Sequence, residues 1–181
     1  MKKLRLSYSL LNTWDRGDVD GAVATYLHLA RPTSRQINEG REIHEKIQKH
    51  IDTEGEFPDW FFNWKLGSPE TEKELVVNYN EMFDLKCYID CYDEGVVFEH
   101  KTGVSDSLTW TRTWQLPITF LICELAGVEC NLGILVHYNQ YNEKTDYTVM
   151  HNSKIQRDYA RNIIDSTGPE IREYFLQKGL I

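Results

Sequence analysis

Two acidic residues and a lysine, spaced as Asp90 … Glu99-His100-Lys101, are the side chains in this sequence best suited to chemistry. Lys86 to Tyr92 and Val96 to Lys101 read as the two strands of a hairpin with turn residues between them. With Glu94-Gly95 as the loop, Asp93 faces Val96, and the same register sets Asp90 opposite Glu99. Side chains alternate along a strand, so Glu99 and Lys101 share one face, and Asp90 lies across from them on it. Carboxylates directly opposed in a ladder destabilise it. At about 5 Å and an effective dielectric of about 20 the cost is roughly 3 kcal/mol. A divalent cation reverses that sign, and converging oxygen ligands suit Mg²⁺ or Mn²⁺. The neighbouring ammonium of Lys101 is placed to hold a water or a phosphate. The plain alternative is a hairpin carrying solvated acids and a surface lysine.

Asp90 with Glu99-His100-Lys101 resembles the D…(D/E)-x-K core of the PD-(D/E)XK nuclease superfamily. Lys101-Thr102-Gly103 resembles its RecB-type exonuclease branch, which includes the adaptation nucleases of CRISPR systems. Ser7, Ser9, Leu11 and Trp14 are similar to the branch's N-terminal S-x-S-x-L-x-x-Y/W signature, although Asp15-Arg16-Gly17 stands where many relatives have Cys-Pro. Gly40 and His44 resemble a G-x-x-x-H element whose histidine is a third metal ligand. Gln115 matches the glutamine of a Q-x-x-x-Y element, with Thr119 at the tyrosine position and Phe120 beside it.

The resemblance implies a divalent-metal-dependent DNA nuclease, an exonuclease hydrolysing phosphodiester bonds in DNA processing, recombination or repair. Asp90 and Glu99 would bind Mg²⁺ or Mn²⁺, with His44 and the carbonyl of His100 completing the protein shell. Lys101 would orient or help deprotonate the attacking water and stabilise the phosphorane charge. Gln115 would position the strand or Lys101. DNA is the implied partner, and a homo-oligomer or a larger DNA-processing complex stays open. Two other readings compete. One is an inactive nuclease fold that binds nucleic acid or a protein. The other is an unrelated, metal-free binding protein with a chance motif.

The elements that must position these residues follow from pattern. Capping residues at Ser7 and Ser9 precede apolar spacing, predicting a helix, and a second runs from Val19 to about Leu29 before Pro32. Ser34 caps a longer helix from Arg35 to about Ile51, with Ile37, Ile43, Ile47 and Ile51 as its apolar stripe and His44 at the stripe's edge. Residues 52–73 read as a loop carrying Trp60, Phe61, Phe62 and Trp64, which either plug a core or stack on bases. Glu74–Tyr79 and Glu81–Tyr92 read as strands with a turn near Asn80. A polar loop from Gly103 to Thr109 covers the site. A helix from Trp110 or Thr113 to Ala126 is closed by Gly127.

Strands at Asn131–Tyr138 and Thr145–Met150 come next, and Ser153 with Gln156 forms a capping box. The helix that begins there runs to about Asp165, Gly168-Pro169 breaks it, and a short helix reaches Leu176. Lys154, Arg157 and Arg161 recur at helical spacing as a solvated face or a phosphate-contacting ridge. The expected architecture is a single α/β domain over residues 1–181, a mixed central β-sheet flanked by helices, restriction-endonuclease-like.

Composition bounds the rest. At 181 residues, 41% hydrophobic and 27% charged, the chain is globular. No apolar run reaches membrane-spanning length, and the N-terminus lacks a signal peptide's apolar segment, so a soluble, cytoplasmic protein is expected. The net charge of −8 argues against a general affinity for nucleic acid, yet a local basic stripe suffices for a nuclease. Cys87, Cys91, Cys123 and Cys130 do not follow the one-plus-three spacing of cluster-bearing RecB-type nucleases. No iron–sulfur cluster is therefore expected, and the cysteines read as buried free thiols.

Overall fold

Phe83, Leu85, Cys87 and Ile89 alternate with more exposed residues, and all four are buried, the signature of a strand with one face on a core. The computed structural model describes residues 3–29, 35–103 and 114–181. In chain order its elements are β1 (Leu4–Ser7), α1 (Tyr8–Asp15), α2 (Val19–Tyr26), α3 (Arg35–Glu54), β2 (Glu70–Asn78) and β3 (Phe83–Asp93). Then come β4 (Val96–Gly103), α4 (Gln115–Ala126), β5 (Leu132–Asn139), β6 (Lys144–His151) and α5 (Lys154–Gln177). The six strands form one mixed sheet, ordered β1-β3-β4-β5-β6, with β2 paired to β3. Strands β4 and β5 are parallel, which demands a crossover, and α4 lies within that connection.

Two cores flank the sheet. One packs Leu10, Leu11, Ala22, Phe120, Ile164 and Phe175 from four helices against Leu85 and Ile89. The other packs Ile47 and Ile51 of α3, with Phe57, Phe61 and Phe62, against Phe98, Ile134 and Val136. Every residue of α4 from Leu116 to Cys123 is buried, so the helix needs no polar face. Gly133 of β5 makes that packing close, since a Cβ there would sit 2.7 Å from Phe120 and 2.8 Å from Leu116.

Several expected boundaries hold and others move. Ser7 caps α1, its Oγ accepting from the Leu10 N–H at 3.3 Å, but Leu4–Ser7 is also a strand the sequence reading lacked. Four residues are too few to show a period, and β1 exists because β3 offers a parallel edge. Strand β2 starts at Glu70 rather than Glu74. Of the expected aromatic plugs, Phe61 and Phe62 are buried, whereas Trp60 and Trp64 are exposed, as is Ile37 of the apolar stripe. Pro32, Ser34 and the loop after Gly103 lie outside the described residues.

The expected break at Gly168-Pro169 does not occur. Helix α5 continues to Gln177 with Pro169 inside it. An interior proline costs about 3 kcal/mol. Ile164 before it and Ile171 and Phe175 after it are fully buried, each contributing about 1.5–3 kcal/mol. Gly168 itself faces Leu6 and Phe83, which a Cβ would approach to 3.2 Å, so it is a packing glycine rather than a stop.

Candidate active site

Strand β3 changes partners along one edge. Phe83–Lys86 pair with β1, and only Cys91–Asp93 pair with β4. The hairpin register is the expected one at its turn, Asp93 opposite Val96, with Glu94 and Gly95 at φ +45° and +84°. The ladder stops at Cys91–Phe98, so the expected Asp90–Glu99 pair is not formed as a ladder pair. Instead the Asp90 carboxylate accepts the His100 N–H at 2.6 Å. On β3's other edge, Thr71–Cys91 and Lys73–Ile89 pair while Glu72 and Asp90 do not, and Glu72 has φ +48°. Alternation breaks there: Ile89 joins one core and Cys91 the other. The site sits where the strands part.

Asp90, Glu99, Lys101, Gln115 and Thr119 line one pocket together with Ser7. The solvated-acid alternative is excluded, because Glu99 is 1% exposed and the Asp90 side chain 15%. Lys101 Nζ lies 3.9 Å from Glu99 Oε2, and Gln115 Nε2 donates to that same oxygen. Glu99 Oε1 has no partner. Burial, then the charge of Asp90, pushes the Glu99 carboxyl well above the ordinary range. Burial also acts to raise Asp90, but the His44 hydrogen bond and the charge of Lys101 hold it well below its ordinary value. Of the two, Glu99 takes up the first proton.

His44 does not line that pocket but meets Asp90 from α3, its Nε2 3.3 Å from Asp90 Oδ1. Thr102 and Gly40 explain the approach. Thr102 Oγ1 donates to the Gly40 carbonyl at 3.2 Å, and a Cβ on Gly40 would lie 2.7 Å from that hydroxyl. A glycine lets the helix lie against β4, and His44, one turn on, then meets Asp90. The His100 ring is boxed by Phe57, Phe61 and His44. Burial drops its pKa to about 4, so the ring is neutral near pH 7, and its Nε2 lacks a partner. Donor atoms of His44, Asp90 and His100 all lie within 4.8 Å of one another. The sequence reading assigned the His100 carbonyl as a ligand, and the geometry brings its imidazole to the group as well.

Lys154, Arg157 and Arg161 are not gathered with these residues and do not line the pocket. Lys154 pairs with Asp158 at 2.5 Å, and Arg157 and Arg161 both pair with Glu124 of α4. Glu72, missed in the sequence, stands 3.9 Å from His44 Nδ1. No local signal marks it, because its position depends on β2 pairing with β3 and on its left-handed backbone.

Among the described residues no helix is long and apolar enough to cross a membrane. No protein-family model matches the sequence, and no curated protein is similar to it. Solved structures are similar in fold. A phage-related exonuclease from Haemophilus somnus 129PT superposes with a TM-score of 0.58 at 11% identity, covering 98% of this chain and 97% of that one. The alkaline exonuclease LHK-Exo from Laribacter hongkongensis gives 0.56 at 11%, covering 97% and 93%. Its complex with dAMP gives 0.56 at 12% with the same coverage. The mixed sheet, flanked among the described residues by five helices, is thus a fold that this chain shares with those exonucleases.

Proposed function

We propose that the protein is a divalent-metal-dependent nuclease that hydrolyses phosphodiester bonds in DNA, acting as an exonuclease. The observation that carries this reading is the gathering of Asp90, Glu99 and Lys101 in one pocket, on a fold shared with exonucleases. The donor set fits a divalent cation: a depressed Asp90 carboxylate, an unpartnered Glu99 Oε1, and histidine nitrogens at His44 and His100. Asp90, Glu99 and His44 would hold it, with His100 completing the shell through its carbonyl or its ring. Oxygen ligands suit Mg²⁺ or Mn²⁺, and the nitrogen donor favours Mn²⁺ of the two. When bound, the cation supplies positive charge that polarises the scissile phosphate.

The chain's own groups do the rest. Lys101, an ammonium without a lone pair, does not ligate and instead donates to the attacking water or the phosphate. Gln115 fixes the Glu99 carboxylate by donating to Oε2, leaving Oε1 free to face a ligand. The crystallised dAMP complex of LHK-Exo supports a nucleotide ligand for this fold. An inert module has no physical reason to bury two carboxylates beside a lysine, which favours a live enzyme over a binding scaffold. The test is incubation with linear and circular DNA, single- and double-stranded, with Mn²⁺ and with chelator. Metal-dependent loss of linear DNA with circles spared is expected. Intact DNA in every arm would refute the reading.

A further inference from the structure

We infer that Glu72 is a positioning residue that orients His44 for the cation, a role that rests on the metal-dependent reading above. Three observations support it. Glu72 Oε1 lies 3.9 Å from His44 Nδ1, an ion-pair separation beyond hydrogen-bond reach, while His44 Nε2 lies 3.3 Å from Asp90 Oδ1, so a carboxylate flanks the ring at each nitrogen. A carboxylate on Nδ1 keeps the proton there and leaves the Nε2 lone pair free to ligate. Glu72 also sits inside β2 at φ +48°, a conformation that costs a non-glycine residue roughly 1–3 kcal/mol and that recurs at functional sites. Finally, its cross-strand neighbour Asp90 is itself released from the ladder, so the backbone of both strands is bent to bring Glu72, His44 and Asp90 together.

The experiment is titration calorimetry with Mn²⁺ on wild type, Glu72→Gln, His44→Ala and the double variant. Glu72→Gln should weaken Mn²⁺ binding about tenfold, the usual effect of removing a carboxylate behind a ligating histidine. In the His44→Ala background the same change should cost nothing further, because the residue acts through the ring. The melting temperature of metal-free Glu72→Gln should equal or exceed that of wild type, since a charge beside Asp90 is removed. Equal Mn²⁺ affinity for wild type and Glu72→Gln overturns the role. So does an equal loss in both backgrounds, which would make Glu72 act on the cation by itself. A wild type that binds no Mn²⁺ refutes the metal-dependent reading, and this role with it.

Discussion

In the proposed mechanism Lys101 and Glu99 divide the work of the site, and each can be tested alone. Lys101→Ala should abolish cleavage while the metal-induced rise in melting temperature survives, because an ammonium does not ligate. Lys101→Arg should rescue poorly, since a planar guanidinium reaches differently and keeps its proton near neutral pH. Activity assays on folded variants, checked by circular dichroism, decide this. Near-normal cleavage by Lys101→Ala would sink the mechanism. Glu99 carries the opposite signature. Its folded carboxyl is raised above the ordinary 4.5 by burial and by Asp90. Folding therefore favours its protonated form, so the stability it contributes is present below about pH 4.5 and is lost as pH rises through the higher folded value. Glu99→Gln should stabilise the metal-free protein by on the order of 1 kcal/mol near pH 7. It should also eliminate the metal response. The gap between the two melting curves should grow with pH, and a constant gap would contradict the assignment.

At the scale of elements, the site depends on how closely α3 lies against β4. Gly40 sets that distance, since a Cβ there meets the Thr102 hydroxyl at 2.7 Å. Gly40→Ala should destabilise the fold by about 1–3 kcal/mol through overpacking, although alanine is the better helix former by about 1 kcal/mol. It should also weaken Mn²⁺ binding by moving His44 away from Asp90. Thr102→Ala removes the opposing hydroxyl, so adding it to Gly40→Ala should recover both properties. Chemical denaturation and calorimetry on the four proteins measure the coupling, and strictly additive effects would mean that Gly40 does not set the spacing.

For the whole molecule, the buried Glu99 carboxyl, raised by burial and by Asp90, is a standing cost that the proposed cation would remove. Millimolar Mg²⁺ or Mn²⁺ should raise the melting temperature, because anything binding only the native state stabilises it. Asp90→Asn should lose most of that shift while keeping the His100 N–H acceptor through its amide oxygen. Scanning calorimetry with and without metal checks this, and an unmoved transition would remove the metal centre from the proposal. The net charge of −8 sits with this arrangement, since part of the acidity gathers at the site itself.

The sequence by itself determined the hairpin turn at Glu94-Gly95, the caps at Ser7 and Ser153 and the closing Gly127, and it singled out Asp90, Glu99 and Lys101, which line one pocket. Each is local: a turn dihedral, a hydroxyl three residues from an amide, an alternation along one strand. Tertiary structure decided what depends on distant partners. Strand β1 forms only because β3 has an open edge, and Asp90 leaves the ladder because β3 passes from β1 to β4. Pro169 stays helical because buried residues on both sides hold it. Arg157 and Arg161 of α5 turned to Glu124 because α4 packs alongside, which no spacing within one helix announces. Glu72 reached His44 through strand pairing and a left-handed backbone, neither of which is written in the residues around it.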